Sequence, residues 1–423
     1  MSPADAATAP DATVAGAIAA GTIPLEEHRG RVLAAVRVLP VERVPLARAR
    51  GLVLAGDVTS RWPVPLFDSS AMDGYAVRRA DAVVGARLRV VADVPAGSAL
   101  DPRIGPGEAV RIMTGAPVPS DADAVVPLEQ TDLGTAIGAE PPEHVTVTVE
   151  PRPGAHVRRA GEDTAAGAVV VAAGTALGPW QLSAVASAGH DEVEVHRAPR
   201  VAVVSTGSEL VPPSAVPGRG QIPESNSVLL AAALEASGAV VTSVATVPDD
   251  DEALRRALAG AASSADVVVL SGGASVGAFD VVKNVLGSEP TVRFDNVAMQ
   301  PGKPQGFGTL ADGTLVFCLP GNPVSVAVSF EMFVRPALRA MAGSAQVDRP
   351  RVTRAAAASW RCPAGRTQVL PVVLDDRTVR PATSGGSGSH LVGSLAVAEA
   401  LAVVPAATPR VDEGDHVTVM VLR

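Results

Sequence analysis

Cysteine, lysine, tyrosine and net positive charge are all scarce in this chain, and each shortage removes a class of function. The two cysteines, Cys318 and Cys362, are too few and too far apart for a disulfide framework or a cysteine-based zinc site. That suits a reducing compartment, and the cytoplasm is the expected location. Asp and Glu number 44 against 35 Lys and Arg, giving a formal net charge of −9. Nucleic-acid backbones and anionic membranes are bound through basic patches, so neither is expected as a partner. No apolar stretch reaches the roughly 18 residues of a spanning helix, because Gly, Pro or a charge breaks every Ala/Val-rich run. The first twenty residues lack the basic start and apolar run of a signal peptide and read as a disordered tail. A small-molecule substrate is the remaining default for 423 residues, a length that suits roughly three domains.

Aromatic residues make up only 3% of the chain, and its one tyrosine, Tyr75, falls in LFDSSAMDGYAV, residues 66–77. Phe67, Met72 and Tyr75 stand there beside Asp68 and Asp73, behind Pro63 and Pro65. One reading is structural: the prolines fix an extended approach, Gly74 allows a tight turn, and the apolar residues plug a small β domain. The other is that the aspartates do chemistry.

Organisation follows from periodicity. Residues 24–58 carry apolar residues at Val32, Val36 and Leu39 and then a second short amphipathic stretch past a proline, which predicts a pair of helices. Short alternating runs from Pro63 to Glu150 predict a small β domain. Residues 161–197 predict two strands, a helix starting near Pro179 and a strand, packed back on the first helices. After Pro199 the pattern becomes strand then helix, repeated: VAVVS before a helix at 227–237, VVVLSG before FDVVKNVL, and TLVFCLPG before NPVSVAVSFEMFVRPAL. Continuous β-branched runs separated by amphipathic helices predict a parallel sheet covered on both faces. Short strands from Gly343 onward predict a second β unit.

In an open α/β sheet, ligands lie beyond the carboxyl ends of the strands. Those ends carry STGSEL, VPDDD, SGGASVGAFD and LPGNPVS. Glycine-rich and Pro-Gly turns that feed helices expose free N–H groups and favour an anion such as phosphate. In LPGNPVS, Asn322 has the chemistry of an N-cap and Pro323 suits the first helical position. Glu209, Asp249, Asp250 and Asp280 share the same predicted edge. Carboxylates beside a phosphate call for a divalent cation between them, and oxygen-only ligands point to Mg²⁺. Gly273 to Gly277 also matches the G-x-S-x-G nucleophile elbow, with Ser275 as the nucleophile, but no HGGG-type oxyanion segment accompanies it. Gly302-Lys303 is followed by Pro304, so there is no Walker A loop, and no G-x-G-x-x-G occurs.

Taken in order, LFDSSAMDGYAV, RIMTGAPVPSDADAVVPLEQT, RRAGEDTAAGAVVVAAG, VAVVSTGSEL, SGGASVGAFD, VAMQPGKPQGFG and LPGNPVS resemble the molybdopterin molybdenumtransferase (MoeA) family, which includes the E domain of gephyrin. The resemblance covers nearly all of the chain after the tail. It implies a multidomain α/β plus β protein. A discontinuous, elongated α+β domain (21–62 and 151–197) would carry a small β domain (63–150). A MogA-like, doubly wound α/β molybdopterin-binding domain (198–342) and a C-terminal β domain (343–423) would follow. It further implies a homodimer that uses Mg²⁺ to insert molybdate into adenylylated molybdopterin with release of AMP, supplied by a MogA-like adenylyltransferase.

By the same resemblance Asp73, Thr114, Asp163, Glu209, Asp249, Asp280, Lys303 and Ser389 match active-site positions. Glu209, Asp249 and Asp280 would hold the metal. Ser271, Gly272, Gly273, Ser275 and Gly277, with Pro320, Gly321, Asn322 and Pro323, would bind the molybdopterin nucleotide. The chain departs from the family at several points: Asn296, Gln300 and Pro371 stand where relatives often carry cations, Ser208 replaces the aspartate of TGDEL, and Ser69 an asparagine. Two other functions stay open at this stage: a non-catalytic molybdopterin-binding carrier or scaffold, favoured by the lost cations, and a serine hydrolase through Ser275.

Overall fold

The computed structural model describes residues 21–135, 138–272, 281–384 and 388–422. The described chain opens on helix α1 (Leu25–Ala35), with Leu25 and Val32 buried, and continues into strands β1 (Val41–Pro45) and β2 (Val53–Leu54). The expected second helix is therefore a strand, a single 3₁₀ turn at Leu46–Arg48 and another strand. The reason is chemical: VERVP sets β-branched valines at both ends of a charged pair and is closed by proline, which removes the donor that a helix would need.

After two short strands at Val58–Thr59 and Ser69–Ser70, the small β domain contains β3 (Gly74–Val77), β4 (Arg87–Val94), β5 (Glu108–Ile112), β6 (Ala124–Pro127) and β7 (His144–Thr146). They form one sheet in the order β6-β3-β5-β4-β7. Tyr75 is 2% exposed and belongs to its core with Val77, Leu88, Val126 and Val145. Gly74 is not a turn residue, contrary to the sequence reading. It is the first residue of β3, between β5 and β6, and a Cβ there would lie 2.1 Å from the carbonyl oxygen of Val126. Close approach of two backbones, rather than a turn, is what requires glycine.

Helix α2 (Pro179–Ser187) and strand β8 (Glu192–His196) follow. β8 lies antiparallel between β1 and β2, joining segments some 140 residues apart into one sheet. The sequence predicts two strands before α2 within 161–197; the described structure has one there, Val169–Val171.

The α/β unit contains β9 (Arg200–Thr206), α3 (Asn226–Ala236), β10 (Val240–Val247), α4 (Asp251–Ala262), β11 (Val267–Ser271), α5 (Val281–Leu286), β12 (Arg293–Asn296), β13 (Met299–Gln300), β14 (Pro304–Thr309) and β15 (Leu315–Leu319). A nearly unbroken helical run comes next, α6 (Pro323–Ser329), a π turn at Phe330–Val334, and α7 (Arg335–Met341). Strand alternation explains why helices cover both faces. Val201 and Val203 of β9 pack with Leu230 and Leu234 of α3, while Ala202 and Val204 pack with Leu254 and Leu258 of α4. Each fully buried Val or Leu contributes about 1.5–3 kcal/mol, so these two layers dominate the unit's stability.

The sheet order is β10-β9-β11-β15-β14-β12, and the first four strands are parallel as expected. β14 and β12 are antiparallel additions at one edge, which the reading of an all-parallel sheet missed. Asp312-Gly313 between β14 and β15, with Gly313 at φ +94°, is the hairpin signal that could have revealed this.

β13 leaves this sheet and pairs in parallel with β17 (Thr367–Leu374) of the C-terminal unit. The other strands there are β16 (Arg351–Ala356), β18 (Thr378–Pro381), β19 (Ala400–Val404) and β20 (His416–Val421). Their order, β13-β17-β18-β16-β20-β19, closes through a β17–β19 pairing into a barrel. The PGKP segment therefore lies where the α/β unit meets the barrel.

Candidate functional site

LFDSSAMDGYAV separates its two aspartates by function. Asp68 is held within the chain: Oδ1 accepts from the amide of Ala160 at 2.8 Å and Oδ2 from the Arg159 guanidinium at 2.5 Å. These contacts hold its carboxyl below the usual range, the Ala160 amide first. Asp73 accepts both of its hydrogen bonds at Oδ1, from the Thr114 amide at 2.7 Å and hydroxyl at 2.8 Å. The same two bonds depress its pKa, the amide more than the hydroxyl. Asp73 Oδ2 has no hydrogen-bond partner among the described residues, so an ionised, oriented oxygen faces outward. Leu66, Phe67 and Met72 on the same loop are exposed rather than plugging the sheet below; only Tyr75 does that.

Asp163 is exposed and lines a cavity of about 290 Å³ on the discontinuous domain with Val64, Thr164, Trp180 and Ser183. It is not hydrogen-bonded to Asp73 or Thr114 in the described structure.

At the carboxyl ends of β9 and β10, Ser208 and Asp249 are reciprocally paired. The Ser208 amide donates to Asp249 Oδ2 at 2.9 Å, and the Asp249 amide donates to Ser208 Oγ at 3.1 Å. Glu209 folds over Gly207, where a Cβ would fall 2.7–2.9 Å from its carboxylate. Gly207 has φ +153°, a conformation that a side chain rarely adopts. Asp250, the fourth strand-end carboxylate, is the N-cap of α4 and accepts from Ala253 N at 2.7 Å. Among the described residues no three His, Cys, Asp or Glu side chains converge as a metal cluster. Asp280 lies outside the described residues, as do Gly273, Ser275 and Gly277, so neither the complete carboxylate set nor the nucleophile elbow is described.

Ser271 and Gly272 end β11, and Pro320, Gly321 and Asn322 follow β15, its parallel neighbour. Asn226, which sequence reasoning missed, ties these two ends together. Its Nδ2 donates to Ser271 Oγ at 2.8 Å and to the Gly321 carbonyl at 2.6 Å. A carbonyl only accepts, which fixes the amide's orientation and leaves Oδ1 buried without a partner among the described residues. Gly272 is at φ +97°, and a Cβ there would lie 2.5 Å from the Thr206 carbonyl oxygen. Asn322 occupies the N-cap position of α6, but its side chain makes no capping hydrogen bond; Pro323 is at the first helical position.

Several predicted residues meet in a cavity of about 480 Å³ between the α/β unit and the barrel. Lys303, Pro320, Gly321, Asn322 and Ser389 line it, as do Gln300 and the buried Ser325. Arg366 and His390, which sequence reasoning missed, line it too. Among the described residues no carboxylate lines it. Asp73, Thr114, Asp163, Glu209 and Asp249 do not line it.

The chain matches three family models that together span most of it. They are "MoeA N-terminal region (domain I and II)" over residues 23–189, "Probable molybdopterin binding domain" over 202–340, and "MoeA C-terminal region (domain IV)" over 353–422. It is 42% identical to molybdopterin molybdenumtransferase 2 of Mycobacterium tuberculosis over 93% of this chain and 98% of that protein. It is 34% identical to the molybdopterin molybdenumtransferase of Haemophilus influenzae, over 89% of this chain and 93% of that one. The crystal structure of a MoeA molybdopterin biosynthesis protein from Pyrococcus horikoshii superposes with a TM-score of 0.77 at 32% identity, covering 95% of this chain and 99% of that chain.

Proposed function

The chain belongs to the MoeA family of molybdopterin molybdenumtransferases, enzymes of molybdenum cofactor biosynthesis, and from that footing we propose that it inserts molybdate into adenylylated molybdopterin with release of AMP. The observation that carries this reading is the cavity, with no carboxylate among its described lining residues, in which Lys303 and Ser389 stand beside the Pro320–Asn322 turn. Lys303 supplies charge and Ser389 a hydroxyl donor for a tetrahedral oxyanion, while the glycine turns leave backbone open to the nucleotide's phosphates.

Mg²⁺ fits the carboxylate pair at the neighbouring strand ends. Glu209 and Asp249 offer only oxygens, both are exposed, and Gly207 leaves the space that Glu209 fills. Two carboxylates plus substrate phosphates make a usual donor set for that ion. When bound there it would neutralise charge on the phosphoanhydride. Asp280, matched by resemblance, would join them.

The residues of this chain position and polarise rather than react covalently, since the dithiolene that accepts molybdenum belongs to the substrate. Water adds across the phosphoanhydride, releasing AMP and leaving molybdopterin with its terminal phosphate; the two dithiolene thiols then bind molybdenum, and their two protons leave with one molybdate oxygen as water. Asp73, kept ionised by Thr114, is suited to accept a hydrogen bond from the attacking water through Oδ2 and so to orient it. Because Asp73 and Thr114 do not line the cavity of their own chain, the reading places them opposite the cavity of a second copy, in a homodimer fed by a MogA-like adenylyltransferase. Among the described residues no helix is long and apolar enough to cross a membrane.

The test is to incubate the protein with adenylylated molybdopterin, molybdate and Mg²⁺ while following AMP and active cofactor together. Equimolar appearance of both supports the transferase. Stable nucleotide binding without AMP release would instead make the chain a carrier.

A further inference from the structure

Glu224 is a buried carboxylate for which the proposed reaction has no use. It is 6% exposed, in the turn between the short strand Ile222–Pro223 and α3. Its Oε1 accepts from the Ser205 hydroxyl at 3.0 Å and from the Ser227 amide at 2.9 Å, and its Oε2 accepts from the Ser227 hydroxyl. No cation pairs with it among the described residues. Taking such a carboxylate out of water is costly, and these hydrogen bonds at the α3 N-terminus offset that cost only while every donor stays in place. Ser205 is 1% exposed near the carboxyl end of β9, where it is the register partner of Ser271 on β11. Asn226, two residues beyond Glu224, donates to that Ser271 hydroxyl at 2.8 Å and to the Gly321 carbonyl at 2.6 Å. Residues 224–227 therefore cross the ends of β9, β11 and β15 as one strap. Its near side is tied to the loop that carries Glu209: Ile222 N donates to the Glu209 carbonyl at 2.9 Å, and Glu224 N to the Val211 carbonyl at 2.8 Å.

We infer that Glu224 is a positioning residue for the nucleotide-binding turns, its carboxylate fixing the start of α3 so that Asn226 holds the ends of β11 and β15 at one spacing. The inference rests on the transferase reading and adds to it a residue that acts through another side chain. Helix capping alone does not account for the arrangement. The N-cap residue Ser225 makes no side-chain hydrogen bond, and the carboxylate one residue earlier reaches a neighbouring strand as well as the helix. Asn226 lies between the two anchored residues, Glu224 and Ser227, so its amide is held at the end of a network in which each bond depends on the others.

The experiment uses the full chain and reads the KM for adenylylated molybdopterin and the molybdate half-saturation of AMP release, with the denaturant midpoint measured alongside. Glu224→Ala leaves the Ser205 hydroxyl and the Ser227 amide without their acceptor. It is expected to raise the nucleotide KM by about tenfold, with molybdate half-saturation within about twofold. Glu224→Gln keeps the shape and one acceptor oxygen, and the Ser227 hydroxyl can turn to accept from the new amide, so the KM should return to within about threefold of the unaltered value. If the alanine variant does not fold, Ser205→Ala cuts only the tie to β9 and is expected to raise the same KM by about threefold. The readout that a merely structural role would not move is the coupling to Asn226. In an Asn226→Ala background the strap no longer reaches either turn, and the Glu224 or Ser205 change is expected to add less than about twofold. A full, multiplicative effect in that background overturns the inference and leaves the transferase reading standing. So does an unchanged nucleotide KM in folded Glu224→Ala, or equal weakening toward molybdate. An unaltered chain that neither binds the nucleotide nor releases AMP overturns the reading and the inference with it.

Discussion

One oxygen of Asp73 takes both hydrogen bonds that Thr114 offers, at 2.7 Å from the amide and 2.8 Å from the hydroxyl, and this leaves the other oxygen without a hydrogen-bond partner among the described residues. The pairing joins the loop before β3 to the loop after β5 and fixes a carboxylate that this stretch of sequence, taken alone, reads first as turn chemistry. Its depressed pKa means that the ionised form, and whatever stability it contributes, is present above the ordinary carboxylate range and is lost as pH falls through the lowered value.

Thr114→Val keeps the amide bond and removes the hydroxyl bond, so the Asp73 pKa should rise toward its ordinary value. The acid limb of the pH–rate profile should move to higher pH, and kcat/KM near neutrality should fall by about tenfold through lost orientation of the carboxylate. A profile that keeps its acid limb would assign that limb to another group.

Gly74→Ala should destabilise the small β domain without touching either strand-end carboxylate. The added methyl would meet the Val126 carbonyl oxygen at 2.1 Å and the Pro127 Cα at 2.9 Å, both backbone atoms that cannot rotate away. Forcing β3 and β6 apart should cost about 3 kcal/mol, within the upper range for overpacking. The denaturant midpoint measures this, and a loss below about 0.5 kcal/mol would show that the strands adjust freely.

The sequence carried the local chemistry well and the long-range chemistry poorly. LPGNPVS could be singled out by its own turn logic, and Lys303 and Ser389 through the resemblance of their segments to family motifs; Lys303, Gly321, Asn322 and Ser389 do meet in one cavity. Arg366 and His390 line it with them; His390 stands beside the motif serine Ser389 but was not singled out, and nothing near Arg366 marks it, because the barrel that brings it there closes through pairings between distant strands. Gly74 was misread for a related reason: Asp-Gly is common turn chemistry, and only the approach of Val126 from another strand distinguishes a strand glycine from a turn glycine. Asn226 carries no motif at all. Its importance lies in two partners 45 and 95 residues away.

Asp73 and Lys303 should complement one another between copies of the chain. If each site takes Asp73 from one protomer and the cavity from its partner, a heterodimer of Asp73→Ala and Lys303→Ala chains holds one intact site and one doubly altered site. Random mixing makes half of the dimers heterodimers, so about a quarter of the unaltered activity should return. No recovery, with heterodimers demonstrated by differential tagging, would place both residues in one protomer's site.

Asn226→Asp should separate nucleotide binding from molybdate binding. The amide's Nδ2 is the donor that joins Ser271 Oγ to the Gly321 carbonyl, holding the ends of β11 and β15 at one spacing. An aspartate has nearly the same shape but no donor, so its carboxylate would face the Gly321 carbonyl oxygen and repel it. The two turns should then separate at the place where the nucleotide's phosphates need closely spaced backbone N–H groups. Serine at 271 can turn its hydroxyl to donate, so one contact survives, while the one to Gly321 does not. The global fold should hold, because Leu230 and Leu234 of α3 remain buried against β9. The KM for adenylylated molybdopterin should therefore rise by about tenfold or more, with molybdate half-saturation changed far less, since Lys303, Arg366 and Ser389 keep their places. Equal effects on both substrates would mean that the Gly321 turn shapes the whole cavity rather than its nucleotide side.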